Sequence, residues 1–194
     1  MGHLTTYSGL IALLFPVVMV WMQEKLRDNK AWHMLRTAVF ILYVAVIVYL
    51  TLLGRTNKER AINLTPFWTY QYFSDPQYRW EIYMNVFLFL PFGFLLAFVA
   101  KRNFLQSLLI GFAFSVCIEA LQYVFSFGMC EIDDVFHNSL GTSLGYGYWK
   151  ALRWLEAKHG KEIRAAAHRA MQYARRLGNQ TLADLKKYMV NKKK

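Results

Sequence analysis

A chain of 194 residues that is 56% hydrophobic and 17% aromatic, with a mean hydropathy of +0.19, carries more apolar surface than a soluble domain of this size can bury, and it reads as an integral membrane protein. The formal charge of +11 comes without the pattern of any nucleic-acid-binding module, so nucleic acid is excluded as a partner. Two cysteines, Cys117 inside an apolar run and Cys130 alone in a loop, give neither a disulfide framework nor a CxxC metal motif.

Five apolar stretches follow in order, at residues 4–22, 35–53, 82–100, 104–125 and 135–155. Each is roughly 18–23 residues long, enough to cross about 30 Å of hydrocarbon at about 1.5 Å per residue. The first has no basic residue before it and has Lys25 behind it, the reverse of a secretory signal, so it is expected to remain as an additional span. The second is aliphatic and ends at Gly54-Arg55-Thr56. Between the second and third, Asn63-Leu64-Thr65-Pro66-Phe67-Trp68 predicts a chain reversal feeding a short helix, with Thr65 as its cap and Pro66 in its first turn. The aromatics that follow, from Phe67 and Trp68 to Trp80 and Tyr83, suit a membrane–water boundary and place that helix in the outer leaflet.

The third span contains Pro91, which removes a hydrogen bond and predicts a kink near Phe87. The fifth is diluted by Asn138, Ser139, Thr142 and Ser143, and with Gly141, Gly145 and Gly147 it offers a small-residue surface for close helix packing. Beyond it, Ile163, Ala167, Ala170, Met171, Ala174 and Leu177 recur at helical spacing among Arg164, His168, Arg169, Arg175 and Arg176. Gly178-Asn179 is expected to break that helix before a shorter one at 182–189. Two readings of this tail stand side by side: a helix lying on anionic inner-leaflet lipid, or a solvated tail. The organisation is therefore an N-terminal span and loop at 1–34, a membrane domain at 35–155 and a basic tail at 156–194.

The basic residues orient these spans. If five helices alternate, all but four of the 23 Lys and Arg fall on one side, the exceptions being Arg55, Lys58, Arg60 and Arg79. The positive-inside rule then puts the N-terminus outside and the C-terminus in the cytoplasm. The expected fold is an all-α membrane protein, a five-transmembrane-helix bundle with a short outer-leaflet helix between the second and third spans and a basic cytoplasmic C-terminal helix.

In that orientation the strongly polar intramembrane residues share one depth. Asn85 lies a turn below the outer end of the third span, and Glu119 and Gln122 lie roughly 4–10 Å below the outer end of the fourth. Asp133 and Asp134 stand at the mouth of the fifth, with His137 and Asn138 in its first turn, and Arg55 closes the second. Ser115, Glu119 and Gln122, spaced i, i+4, i+7, form one stripe on one helix face. A charge at such depth costs about 2.5 kcal/mol or more, so Glu119 must face a polar interior. The candidate binding residues are Arg55, Asn63, Asn85, Glu119, Gln122, Asp133, Asp134 and Asn138. Simpler roles compete for several: Asp133 or Asp134 as the cap of the fifth helix, Asn85 as a partner for backbone freed by Pro91 or for a neighbouring helix, and Glu119 in a structural ion pair with Arg55.

Leu53-Gly54-Arg55-Thr56, Asn63-Leu64-Thr65-Pro66-Phe67, Asn85-Val86-Phe87-Leu88-Phe89-Leu90-Pro91-Phe92-Gly93, Glu119-Ala120-Leu121-Gln122 and Asp133-Asp134-Val135-Phe136-His137-Asn138-Ser139-Leu140-Gly141 occur in this order at compatible spacing. From about residue 52 to about residue 149 the chain thus resembles the VanZ family of small bacterial membrane proteins, named for association with resistance to the glycopeptide teicoplanin. Many members carry an arginine shortly before the Asp-Asp pair. This chain has Phe127-Gly128-Met129-Cys130-Glu131 there, so that anion clamp is not carried over.

The resemblance and the shared depth together imply a cell-envelope protein whose outward pocket binds a lipid head group or a lipid-linked cell-wall precursor. Arg55 would meet a phosphate or carboxylate, and Asn85, Gln122 and Asn138 would supply neutral hydrogen bonds. The rival is an intramembrane enzyme acting on a lipid, in which Glu119, Asp133 and Asp134 hold a divalent cation or one of them acts as general base. No nucleophile motif, phosphate-cradling glycine loop or HExxH supports it. A third reading is a structural or assembly partner.

Overall fold

The computed structural model describes residues 19–20, 22–23, 26, 28–53 and 60–191, with side chains beyond 162 described only at Ala165 and Gln172. The chain divides into two compact units, Met1–Leu152 and Arg153–Lys194.

Helix α1, Lys30–Val48, begins where the Asn29 side chain accepts from the N–H groups of Ala31 and Trp32, at 2.8 and 3.2 Å. It passes into a π-helical turn, Tyr49–Leu53. Helix α2, Pro76–Phe98, starts six residues before the predicted third span, because Asp75 caps it and Pro76 occupies its first turn, local signals that hydropathy overlooks. Pro91 lies inside α2, and Tyr43 of α1 donates its hydroxyl to the Leu88 carbonyl at 2.8 Å, so a neighbouring helix supplies a hydrogen bond at the weakened turn. Helix α3, Phe104–Phe125, has the predicted bounds. Asn103 and Gln106 form a reciprocal capping box at its start, and Ser126 in the left-handed conformation ends it.

Helix α4, Ile132–Asn191, continues through Gly178-Asn179, contrary to the predicted break. One interior glycine costs about 1 kcal/mol against alanine, too little to stop a helix flanked by good formers.

Three helices among the described residues are long and apolar enough to cross a membrane: α1 with its π turn (Lys30–Leu53), α2 and α3. The five-span layout is not reached. The span expected at 4–22 falls almost wholly outside the described residues. The one at 135–155 is helical but less apolar, because α4 turns Asn138 and Thr142 into the protein interior, fully buried. A helix sheltered by its neighbours does not need an apolar surface all round.

The chain is not purely helical. Strand β1, Ala61–Asn63, pairs in parallel with β2, Met129–Glu131, in the register Ala61 to Met129 and Asn63 to Glu131. Three-residue strands are too short to show alternation in sequence. The predicted short helix is a 3-10 turn, Trp68–Tyr72, that starts after Phe67 in the left-handed conformation (φ 61°), with no cap from its own segment. Thr65 is therefore not its cap. Asn63 instead accepts from the Thr65 N–H at 3.0 Å, which closes the turn after β1.

Apolar packing joins α1, α2 and α3 through Ile47, Phe89, Phe92, Leu96 and Ile118, with Phe40, Tyr43 and Phe114 around them. Between α2 and α4 the backbones meet directly. Gly141 lies against the carbonyl of Val86, Gly145 against that of Leu90, and Gly93 against the backbone of Thr142. A Cβ at Gly147, expected on the same surface, would meet nothing within 4 Å among the described residues.

Candidate functional site

The first turns of α2 and α4, the last turns of α1 and α3, and the β1–β2 ribbon come together at one end of the bundle. Along α3 the interior face is a polar and small-residue stripe, Ser107, Gly111, Ser115, Glu119 and Gln122, as the helical spacing predicts. Glu119 is only 3% exposed, and its Oε2 accepts from the backbone N–H of Glu131 in β2 at 2.9 Å. Strand β2 thus positions its own backbone over the buried carboxylate. Gln122, fully buried, donates from Nε2 to the Thr51 carbonyl in the π turn at 3.0 Å.

Helix α4 supplies the facing side. Asn138 donates to Ser115 Oγ at 2.8 Å, which ties α4 to the stripe two turns below Gln122. Asp134 accepts from Asn85 Nδ2 of α2 at 2.6 Å. Asn85 therefore bonds a neighbouring helix, through a carboxylate, and not the backbone near Pro91. His137 is buried and its Nε2 meets the Tyr70 hydroxyl at 3.0 Å.

Asp133 has another task. Its Oδ1 accepts from the Phe67 N–H at 2.6 Å, and its Oδ2 accepts from the Thr69 N–H at 3.0 Å and the Thr69 hydroxyl at 2.7 Å. The cap missing from the 3-10 turn comes from a carboxylate more than sixty residues away. Because α4 begins at Ile132, Asp133 and Asp134 lie within its first turn and neither precedes it as a cap; there they favour the positive end of the helix dipole. Around this joint Phe67 packs edge-on to Phe136 and Tyr70, and Trp68 to Tyr72 and Tyr78.

Burial raises the Cys130 thiol above its ordinary value, and the carboxylates of Glu119, Glu131 and Asp134 raise it further. Arg60 is already engaged: its Nη2 donates to the Val124 carbonyl at 2.9 Å and it lies over the Tyr123 ring, closing the end of α3.

Of the eight predicted residues, Asn85, Glu119, Gln122, Asp134 and Asn138 share this polar interior, with Asp133 turned from it toward the aromatic turn. The Asn63 side chain is spent on its own turn. Arg55, and with it the Glu119–Arg55 pair, lies outside the described residues. Sequence reasoning missed Thr51, Thr69, Tyr70 and Glu131, none of which stands in a pattern that sets it apart from its neighbours. Among the described residues no three or more His, Cys, Asp and Glu side chains are placed to hold a metal ion. Asp133, a candidate in the divalent-cation reading, directs both oxygens to the Phe67–Thr69 turn.

The polar atoms buried without a hydrogen-bond partner among the described residues include Gln122 Oε1, Asn138 Oδ1, His137 Nδ1 and Trp68 Nε1 at this end of the bundle. Because Nε2 of Gln122 must face the Thr51 carbonyl, Oε1 is the free atom and an acceptor.

Comparison with known proteins matches residues 40–153 to the VanZ/LLP1 family model. The chain is 30% identical over 120 residues to Protein VanZ of Enterococcus faecium, an overlap of 57% of this chain and 71% of that protein. No solved structure matches it.

Proposed function

The chain belongs to the VanZ/LLP1 family, and on that premise we propose that it is a bacterial cell-envelope protein whose polar pocket binds a lipid head group or a lipid-linked cell-wall precursor. In this reading the protein has five spans, one N-terminal and four in the membrane domain, with the N-terminus outside and the C-terminus cytoplasmic, so the pocket opens outward. The tie to teicoplanin resistance comes through the family.

Gln122 carries the proposal. A buried acceptor without a donor costs about 1–3 kcal/mol, and the fold gains nothing from placing one a turn from the buried carboxylate of Glu119. A ligand bearing hydroxyl or ammonium donors removes that cost. The polar interior of Ser115, Asn138, Glu119 and Gln122 gives such a head group several hydrogen bonds at one end of the bundle. Mass spectrometry of lipids co-purifying with the protein tests this. Wild type is expected to retain a lipid or precursor that Gln122→Leu loses, and an identical lipid complement in both would reject the pocket.

Glu119→Gln separates charge from shape. Glutamine keeps an oxygen for the Glu131 N–H and removes only the ionised form. A binding carboxylate predicts loss of ligand or of any envelope phenotype with normal yield and melting temperature. A structural pair predicts loss of stability as well, typically about 3–5 kcal/mol when one partner is removed. Full retention of both removes Glu119 from the site.

The orientation has its own test. A cysteine placed at Tyr70 is expected to react with an impermeant thiol reagent in intact cells, and one placed at Gln180 is not. The opposite pattern inverts the bundle and closes the pocket to the outside.

A further inference from the structure

A second polar centre lies at the other end of the bundle, where α1 begins and α2 ends. Arg36, in the second turn of α1, is 6% exposed. Its Nη1 donates to Gln23 Oε1 at 2.8 Å, an oxygen that also accepts from Trp32 Nε1 at 2.9 Å. Its Nη2 lies 2.7 Å from His33 Nδ1, and because a guanidinium only donates, Nδ1 is the acceptor. The guanidinium also lies over the Phe98 ring, 5.9 Å from its centroid. Every one of these contacts is neutral. No carboxylate pairs with Arg36 among the described residues, and its Nε is buried without a partner.

An arginine cannot shed its proton to escape burial, and an uncompensated buried ion costs several kcal/mol. Two amide and imidazole acceptors and a ring offset only part of that. Nε heads the edge of the guanidinium that grips two oxygens of a phosphate, and it is the group left over. The surroundings favour an anion: Lys101 and Arg102 follow α2 immediately, and Lys30 opens α1, all three exposed. We propose that Arg36, with the exposed Lys101 and Arg102 that follow α2 at the same end of the bundle, is an oxyanion site that takes a phosphate group. The centre is independent of the polar pocket at the far end; Gln23, Trp32, His33 and Arg36 lie before the stretch matched to the family, and Phe98, Lys101 and Arg102 lie within it.

Such a phosphate comes from an anionic lipid or from solution, and one experiment separates these sources. The full-length protein is melted in an uncharged detergent with added dioleoyl-phosphatidylglycerol, dioleoyl-phosphatidylcholine, or inorganic phosphate balanced in ionic strength by chloride. Wild type is expected to melt higher with phosphatidylglycerol than with phosphatidylcholine. A matching rise with inorganic phosphate identifies a free oxyanion, and its absence identifies the lipid. Arg36→Met is expected to lose roughly half or more of the gain, the remainder coming from the basic tail, which the substitution leaves intact. Arg36→Lys keeps the charge without the two-pronged edge and is expected to fall between them, which keeps the test alive if the methionine variant does not fold. A wild type that melts equally in all three conditions, or variants that keep the full gain, would overturn the site.

Discussion

Gly145→Ala is expected to destabilise the protein by about 3 kcal/mol or more and to cut its yield in the membrane sharply. In an ordinary helix interior the same change is favourable by about 1 kcal/mol, because alanine restricts the unfolded chain and glycine does not. Here the added methyl overlaps the Leu90 carbonyl of α2 and comes within 2.8 Å of the Phe94 nitrogen. Both are backbone atoms of a packed helix and cannot swing aside, so the clash outweighs the propensity gain. Gly147→Ala, two residues on in the same helix, meets nothing within 4 Å and is expected to be neutral or mildly stabilising. The check is the melting temperature of the two variants side by side. Equal behaviour would mean that α2 and α4 do not approach through Gly145.

Asp133→Ala is expected to cost about 3–5 kcal/mol, because three hydrogen bonds to one carboxylate go at once, and such bonds, about 1.5–3 kcal/mol singly, add less than fully when they share one group. The loss exceeds that of an ordinary helix cap, for which about 1 kcal/mol is typical, since the Phe67 and Thr69 N–H groups have no second acceptor from their own turn. Asp133→Asn is expected to retain a minority of the effect, as an amide keeps one acceptor oxygen and turns a donor toward the other N–H. Melting temperature reports the loss, and near-ultraviolet circular dichroism reports the release of the packing of Phe67 with Tyr70 and Phe136. A stable Asp133→Ala protein with an unchanged aromatic signal would show that the turn is held by its rings alone.

Sequence by itself determined that the chain is a membrane protein, the bounds of α3, the stripe of Ser115, Glu119 and Gln122, and the family. Hydropathy and the helical period act between residues a few positions apart, so a linear reading captures them. The same period showed that Gly141 and Gly145 share a face, though not that a Cβ at Gly147 would meet nothing within 4 Å.

Tertiary structure decided the rest. Whether Asp133 caps its own helix or the turn at Phe67–Thr69, whether Asn85 serves the backbone near Pro91 or Asp134, and whether Asn63 opens a loop or ends a strand beside Glu131 are choices between near and distant partners. A carboxylate or amide bonds equally well to either, and its local sequence is the same in both cases. The choice follows from which backbone the packing of α2, α3 and α4 brings within about 3 Å, a distance that chain order does not contain.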